Sequence, residues 1–406
     1  MPTPDPAAKV TGPLSDLVVV EMGTLIAGPF CGQILGDFGA EVIKVEDPKG
    51  GDPMRQWGRT LPKGLSPWWP VIARNKKSVT LDLRAPEGQA LARDLIAKAD
   101  VLVENFRPGA LEKWGLGWEA LSHLNPRLIM ARISGFGQTG PYAQRAGFGL
   151  VGEAMGGLRY VTGEPDRPPS RAGISIGDSL TGLHAALGVM MAVHARARTG
   201  RGQLIDAALY ESVFAVMENL VTEYGLTGYV RERTGSILPG LAPSNIYPCA
   251  DGQWVLIGAN ADRVFERLAV AMGRPELSSD PRFAAHRTRG ENQAELDELI
   301  AAWTKTRTLE DLLMLFEQHG VPAGRVYRAP EMLADPQFIA RESIIEAEHP
   351  VLGPMKMQNV FPKLAETPGA VRWIGPTLGE HTEAVLGERA GLSAERIASL
   401  REKGVI

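Results

Sequence analysis

Short apolar runs alternate with amphipathic segments through the first third of the chain. The runs are compact and rich in Val, Ile and Leu, which is typical of strands buried on both faces of a sheet. They predict strands at 17–23, 41–47, 101–106 and 127–136. Helical spacing of apolar residues predicts helices at 28–40, 85–100 and 118–125. Repeated strand–helix alternation indicates an α/β fold, a parallel sheet with helices on both faces and right-handed crossovers.

The longest helical pattern covers residues 178–200. Either Asp178 or Ser179 is suited to cap the start of this helix, and Gly200 is suited to end it. The pattern of 203–221 then predicts a strand that leads into a second apolar helix.

The composition changes at 225–245, where Gly, Pro and Ser are frequent and periodic apolar residues are few. This change predicts a linker or a functional loop. Residues 246–259 predict two strands joined by a turn at Asp251 and Gly252. The remaining patterns predict helices at 263–273, 291–306, 309–320 and 393–404, and strand-like structure at 349–361. A chain of 406 residues has room for one large domain and a smaller one.

Composition excludes several classes of function. The chain is 44% hydrophobic and 22% charged, with a net charge of −4, so no basic nucleic-acid surface is expected. Residues 1–15 predict a loose lead-in without an apolar signal core, and no apolar run is long enough to span a bilayer. We therefore expect a cytoplasmic protein without a membrane or nucleic-acid partner. Cys31 and Cys249 belong to no metal-binding cluster, so neither a disulfide framework nor a metal site is predicted.

The stretch GFGQTG at 135–140 fits the glycine pattern of dinucleotide-binding loops. That mechanism requires a helix to begin within the glycines and to point its N-terminus at a pyrophosphate. Pro141 and Tyr142 follow here, and no helical pattern begins. A tight turn that lines a cleft is the better interpretation.

Asp178 has two interpretations from physical chemistry alone. Aspartate is a favoured helix N-cap, which would make the side chain structural. A carboxylate beside Gly177, at the start of a helix, is also open to approach and close to backbone N–H groups that stabilise an oxyanion. The two roles are compatible.

Several longer stretches resemble the family III CoA transferases (the CaiB/BaiF family), which include formyl-CoA:oxalate and carnitine CoA transferases. The resemblance extends over nearly the whole chain. The stretches that carry it are GTLIAGPFCGQILGDFGAEVIKVE (23–46), NKKSVTLDLRAPEG (75–88), VENFRPGALEKWG (103–115), SGFGQTGP (134–141), GDSLTGLHAALGVMMAVHARARTGRGQ (177–203) and PTLGEHTEAVL (376–386). By this resemblance Asp178 matches the catalytic aspartate of the family.

The resemblance also implies an architecture and a binding site. Family members are interlocked homodimers, with a Rossmann-like large domain whose sheet is built from both chain ends and a smaller α+β domain. This implies a large domain from 1–224 and 331–406 and a small domain with its linker at 225–330. No tightly bound cofactor is implied, because coenzyme A is a co-substrate. The implied CoA contacts are Leu81, Asp82, Leu83, Arg84, Asn105, Phe106, Arg107 and Lys113.

The implied reaction moves CoA from an acyl-CoA to a carboxylic acid through a CoA thioester on Asp178. Differences from the formyl-CoA type argue against oxalate or formate as acceptor, and they fall at Ile26, Asp47, Ala146, Phe148 and the loop 233–245. That loop is a candidate cover for the site. Arg145 and Arg171 are candidates to hold a second carboxylate, so we expect a dicarboxylic acceptor and succinyl-CoA as donor.

Two alternatives remain at this stage. An α-methylacyl-CoA racemase resembles the same fold, but its acid–base chemistry uses a histidine where this chain has Phe148, and a phenyl ring transfers no proton. A CoA-binding scaffold without turnover would not need the GDSLTG stretch that contains Asp178.

Overall fold

The large sheet has six parallel strands, as the alternation of apolar runs predicts. The computed structural model describes residues 12–406, so most of the predicted lead-in at 1–15 lies outside the described residues. The strands are β1 (Val18–Glu21), β2 (Glu41–Glu46), β3 (Lys76–Thr80), β4 (Val101–Glu104), β5 (Ile129–Ser134) and β6 (Leu204–Ala208). Their order across the sheet is β3-β2-β1-β4-β5-β6, and every neighbouring pair is parallel. The predicted parallel α/β sheet is confirmed.

Strand β3 is the one strand of this sheet that the apolar pattern did not predict. It begins with Lys76 and Lys77, and two adjacent cations are not typical of the sequence of a buried strand. Lys76 is nevertheless buried, because the carboxylate of Glu21 on β1 lies 2.8 Å from its Nζ.

Helices connect the strands and continue through the rest of the chain. The helices up to β6 are α1 (Ala27–Asp37), α2 (Trp69–Ile72), α3 (Pro86–Ala97), α4 (Ala110–Lys113), α5 (Trp118–Leu124), α6 (Gly149–Met155), α7 (Leu158–Val161) and α8 (Ile176–Thr199). Those that follow are α9 (Leu209–Phe214), α10 (Leu220–Thr227), α11 (Asp262–Ala271), α12 (His286–Glu291), α13 (Gln293–Thr304), α14 (Leu309–His319), α15 (Ala329–Ala334), α16 (Pro336–Ala340), α17 (Thr382–Ala390) and α18 (Ala394–Glu402). The helix predicted within 203–221 is therefore interrupted, because α9 ends at Phe214 and α10 begins only at Leu220.

Alternate residues of the strands enter two separate cores. On β1, Val19 packs on the side of α1 and α8, whereas Val20 packs on the side of α3, α5, α17 and α18. Both valines are fully buried. Because each strand buries apolar side chains on both faces of the sheet, its sequence is almost continuously apolar rather than alternating.

The chain divides into two compact units. The larger comprises residues 12–158, 172–219 and 337–406, and it contains the six-stranded sheet. The smaller comprises 159–171 and 220–336.

The smaller unit contains a three-stranded antiparallel sheet of β7 (Ser244–Pro248), β8 (Trp254–Gly258) and β9 (Ala323–Arg325). The hairpin predicted at 246–259 is confirmed, and Gly252 in its turn has φ +75°. Its core includes Phe265, Phe283 and Phe316, all fully buried.

The C-terminal segment returns to the larger unit, but it adds helices to the large sheet rather than strands. Helix α17 packs on α3 and β3, and the backbone N–H of Asp82 donates to the carbonyl of Val405 at 2.8 Å. The expectation of a sheet with strands from both chain ends is wrong for these six strands, which all lie within 18–208. The strand-like pattern at 349–361 instead falls in a separate antiparallel hairpin of β10 (Ile344–His349) and β11 (Gly353–Gln358), outside the large sheet.

Candidate active site and coenzyme pocket

A cavity of about 300 Å³ opens at the carboxyl ends of the strands in the larger unit. The loops after β1, β2, β3 and β4 contribute to its wall. The lining residues are Met22, Thr24, Lys44, Val45, Glu46, Asp47, Gly51, Asp52, Leu81, Asp82, Leu83, Arg84, Phe106 and Trp114. The strand order reverses between β1 and β4, so the loops after these two strands leave in opposite directions and open a crevice. This crevice is where open α/β sheets bind ligands.

A network of buried charges lies beside this cavity. The Nζ of Lys44 lies 3.0 Å from Glu21 and 2.8 Å from Asp52, and Lys76 shares Glu21. All four side chains are almost completely buried. Gly32 leaves room for the network, since a methyl group there would lie 1.9 Å from a carboxylate oxygen of Glu21.

The network holds the loops that border the cavity. Lys44 donates to the carbonyl of Gly23, and Asp52 accepts from the backbone N–H of Leu25 at 3.1 Å and of Met54 at 2.9 Å. Burial alone would lower the pKa of Lys44, but the charges of Asp52 and Glu21 outweigh burial and raise that pKa. Lys44 therefore stays charged at physiological pH, and the β1–α1 and β2–α2 loops remain fixed against each other.

Five of the eight residues implied as CoA contacts line the cavity, namely Leu81, Asp82, Leu83, Arg84 and Phe106. The first four follow β3, and Phe106 follows β4, where its ring packs edge-on against Trp114 at 5.3 Å between centroids. Their role in CoA binding stays a prediction.

The other three lie around this cavity without lining it. Asn105 accepts from the backbone N–H of Thr24 and donates to its carbonyl, both at 2.8 Å, so it ties the loop after β4 to the loop after β1. Arg107 is exposed and donates to the carbonyl of Gln144 at 2.8 Å. Lys113 is exposed at the end of α4.

Asp178 lies in the first turn of α8, and not at its N-cap as the pattern predicted. The helix begins two residues earlier, at Ile176, with Ser175 at the N-cap position. A carboxylate in the first turn is stabilised by the helix dipole. The prediction that Asp178 is the N-cap is therefore wrong, and its side chain is half-buried in the first turn.

Gly149, the first residue of α6, lies directly against the carboxylate of Asp178. A methyl group on Gly149 would be 2.1 Å from Oδ2 and 3.0 Å from Oδ1. The starts of α6 and α8 are packed closely, because a methyl group on Gly177 would be 3.1 Å from the carbonyl oxygen of Gly149. On the side of Gly149, the carboxylate of Asp178 thus packs against backbone, in space that a side chain on residue 149 would otherwise fill.

The loop from β5 to α6 is closed on itself by two glycines. A methyl group on Gly135 would lie 2.7 Å from the Cα of Gly147, and no helix begins within GFGQTG. Gly137 has φ +86°, as expected for a tight turn, and the backbone N–H of Gln138 donates to Asp206 at 2.9 Å. The predicted tight turn is confirmed, and that it lines a cleft stays a prediction.

Asp178 and the cavity lie at the same edge of the sheet. Helix α8 leads from the carboxyl edge of β5 back to the start of β6, so its first turn lies at the carboxyl edge. It packs on α1, where a methyl group on Gly182 would be 2.8 Å from the carbonyl of Ala27. Gly182 is one helical turn after Asp178, and Ala27 begins the helix that follows the loop lining the cavity.

The other candidates are distributed between the two units. Arg145 stacks over the ring of Tyr142 at 3.6 Å in the larger unit. Arg171 and the loop 233–245 belong to the smaller unit, so the loop's role as a cover stays a prediction.

Cys31 is fully buried, and burial together with Glu21 raises the pKa of its thiol to about 12, which makes it unreactive at neutral pH. Within residues 12–406 no group of His, Cys, Asp or Glu forms a candidate metal site.

A sequence signal exists for the buried charges but not for the position of Gly149. Glu21 and Lys44 interrupt otherwise apolar strands, and a charge in a buried strand needs a partner. The rest of α6, helix α7 and a long loop separate Gly149 from Asp178 along the chain, so only the folded chain shows their contact.

Comparison with known proteins gives a consistent result. The sequence matches the family model described as CoA-transferase family III over residues 14–382. It is 61% identical to the succinyl-CoA–D-citramalate CoA-transferase of Chloroflexus aurantiacus, covering 97% of this chain and 98% of that protein. It is 45% identical to the beta subunit of the succinyl-CoA–L-malate CoA-transferase of the same organism, covering 98% of each.

A solved structure also resembles this fold closely. A CaiB/BaiF family protein from Brucella suis superposes with a TM-score of 0.82 at 38% sequence identity, covering 93% of this chain and 99% of that one.

Proposed function

We propose that this chain, which belongs to CoA-transferase family III, moves coenzyme A from succinyl-CoA to a dicarboxylic acid through a covalent intermediate on Asp178. One observation carries the role of Asp178. Its carboxylate lies against the Cα of Gly149, at the same sheet edge as a cavity suited to CoA. Because Gly149 has no side chain, the carboxylate can occupy this position, from which a larger residue would displace it.

The first half-reaction loads the enzyme. An oxygen of the Asp178 carboxylate attacks the thioester carbonyl of succinyl-CoA, the C–S bond breaks, and CoA leaves as a thiolate. The product is a mixed anhydride between Asp178 and succinate. The thiolate then attacks the aspartyl carbonyl, the C–O bond of the anhydride breaks, and succinate departs from an aspartyl-CoA thioester.

The second half-reaction transfers CoA to the acceptor. A carboxylate of the acceptor attacks the aspartyl thioester and releases the CoA thiolate, which forms a second mixed anhydride. The thiolate attacks the acceptor carbonyl of that anhydride, which gives the new acyl-CoA and restores the Asp178 carboxylate. Both types of intermediate hydrolyse in water, so the site must exclude water while they exist.

A dicarboxylic acceptor is supported by the relatives and by one side chain. The two relatives are named for D-citramalate and L-malate, which are both hydroxydicarboxylic acids. Arg145 lies four residues before Gly149 in the chain, in the loop that leads to α6, and is exposed. Its guanidinium stacks on the ring of Tyr142, which leaves the edge of the guanidinium available to the distal carboxylate of the acceptor.

The racemase alternative loses support from the position of Phe148. This residue precedes Gly149, so its backbone is adjacent to the residue that contacts Asp178. An acid–base mechanism needs a titratable group beside the carboxylate, and a phenyl ring has none.

A homodimer is supported by an exposed apolar face on α8. Leu183, Leu187 and Met191 recur at every fourth residue and are 49%, 53% and 62% exposed. By length and composition α8 is apolar enough to cross a membrane, but its other face is buried against α1 and β5. A second copy of this chain is the partner we propose for the exposed face, in the interlocked arrangement implied by the family, with its Rossmann-like large domain.

Trapping the intermediate tests this proposal. Protein is mixed with succinyl-CoA, quenched with hydroxylamine, and digested for mass spectrometry. We expect a hydroxamate on Asp178, and a loss of exchange activity of at least about a thousandfold in Asp178→Ala and Asp178→Asn. Asp94→Asn, an exposed charge on α3 outside the cavity wall, is the matched control and keeps activity. Full exchange activity in Asp178→Ala would contradict the proposal.

A further inference from the structure

Arg84 lies in the cavity wall between two carboxylates. Its Nη2 is 2.6 Å from Oδ2 of Asp47, and its Nε is 2.9 Å from Oδ1 of Asp82. All three side chains line the same cavity. The other cation of the lining, Lys44, already lies between Glu21 and Asp52. Among the lining residues, Arg84 is therefore the cation available to an anionic ligand.

The two aspartates hold Arg84 in different ways. Asp82 is local: it accepts from the backbone N–H of Arg84 at 3.0 Å as well as from its side chain, and its own N–H is bonded to Val405. Asp82 therefore orients the guanidinium. Asp47 reaches it from the end of the neighbouring strand β2, through a single contact to Nη2.

The contact between Arg84 and Asp47 is exposed to solvent, so another anion can replace Asp47 in it. The Arg84 side chain is 63% exposed and that of Asp47 is 40% exposed. Ion pairs in water contribute little, and a guanidinium binds a phosphate with paired, charge-assisted hydrogen bonds. A phosphate that enters the cavity can thus displace Asp47 from Arg84, but the displaced carboxylate remains beside the new anion.

We propose that Asp47 sets the affinity of the cavity for coenzyme A by competing with a CoA phosphate for Arg84. This inference rests on the proposed function, in which the cavity binds CoA. A transferase must release its acyl-CoA product in every cycle, and an internal carboxylate that competes for the phosphate-binding arginine speeds that release. Asp47 thereby limits how tightly substrate and product bind without touching the reacting carbonyl.

The test is a comparison of CoA dissociation constants by isothermal titration calorimetry with the full-length protein. We expect Asp47→Asn to lower the Kd for CoA about fivefold, the size of one exposed ion pair, and to lower the KM for succinyl-CoA in the same direction. Asp94→Asn removes the same charge from the exposed face of α3 and is expected to leave the Kd unchanged. Arg84→Gln is expected to weaken binding, and adding Asp47→Asn to Arg84→Gln should then give no further gain.

Dephospho-CoA identifies the phosphate involved. If the gain from Asp47→Asn disappears with this ligand, the 3′-phosphate contacts Arg84, and if the gain persists, the diphosphate does; each result supports the competition. An unchanged or higher Kd in Asp47→Asn, or an equal gain in the presence and absence of Arg84, would overturn it. A wild-type protein that neither binds CoA nor exchanges it would instead refute the proposed function, and this inference with it.

Discussion

Gly149→Ala is the substitution that most directly tests the geometry around the proposed nucleophile. The added methyl carbon would lie 2.1 Å from Oδ2 of Asp178 and 2.7 Å from its Cγ. A carbon and an oxygen that are not bonded need about 3.3 Å, so the carboxylate must move by roughly 1.2 Å or rotate away. Gly149 has no positive φ, so alanine meets no backbone strain, and the predicted effect comes from the contact alone.

We expect a large loss of turnover in a protein whose folding and CoA binding are almost unchanged. Misplacement of a reacting group by about 1 Å costs on the order of a hundredfold in rate, which is about 2.7 kcal/mol of activation free energy. We therefore expect kcat to fall about a hundredfold or more and hydroxylamine trapping on Asp178 to fall with it. The Kd for CoA should stay within about twofold, because Gly149 is not among the residues that line the cavity.

Gly387→Ala is the control for this experiment. Gly387 lies inside α17 of the same unit, and a methyl group there would meet only the carbonyl of Leu392, at 3.9 Å. It should leave kcat unchanged and raise stability slightly, since alanine favours a helix over glycine. Gly149→Ala protein with wild-type kcat and an intact melting transition would refute the idea that the carboxylate of Asp178 must occupy the space over Gly149.

Three further predictions concern stability and reactivity. Glu21→Gln removes the buried carboxylate that Lys44 and Lys76 share, and burial already lowers the pKa of Lys76. It should lower the free energy of unfolding by about 3–5 kcal/mol in urea titrations, and a loss below about 1 kcal/mol would contradict the network. Burial lowers the pKa of His381 in the folded protein, so the unfolded chain binds a proton first as pH falls below its ordinary value of 6.5. The stability that this neutral histidine provides above that pH is therefore lost below it. His381→Gln should show a smaller fall in urea midpoint than the wild type between about pH 7.5 and about pH 5.5, and an identical fall in the two proteins would contradict this. Native protein should leave Cys31 and Cys249 unreacted with Ellman's reagent at about pH 8, and urea should expose both; rapid modification of the native protein would show that the thiols are accessible.

Particular residues show where sequence patterns succeed and where they fail in this protein. The runs around Val19, Val101 and Ile129 are apolar because both faces of their strands are buried, so local pattern and tertiary position agree. Strand β3 escaped prediction because Lys76 is stabilised by Glu21, whose position beside it depends on strand pairing. Because aspartate is a good N-cap, the local pattern predicts that α8 begins at Asp178. In the fold the helix begins at Ile176, and Gly177 in its first turn packs against Gly149.

The sequence by itself determined the parallel α/β class, the hairpin after residue 245, the turn at 135–140 and, through resemblance, the family and the aspartate proposed as nucleophile. Each of these depends on local periodicity or on a contiguous motif. Only the tertiary structure decided that Gly149 packs against the carboxylate of Asp178, that Glu21 pairs with both Lys44 and Lys76, and that Asp47 contacts Arg84. Those contacts join residues from different strands and loops, and their distances are fixed by strand order and packing, which no local pattern encodes.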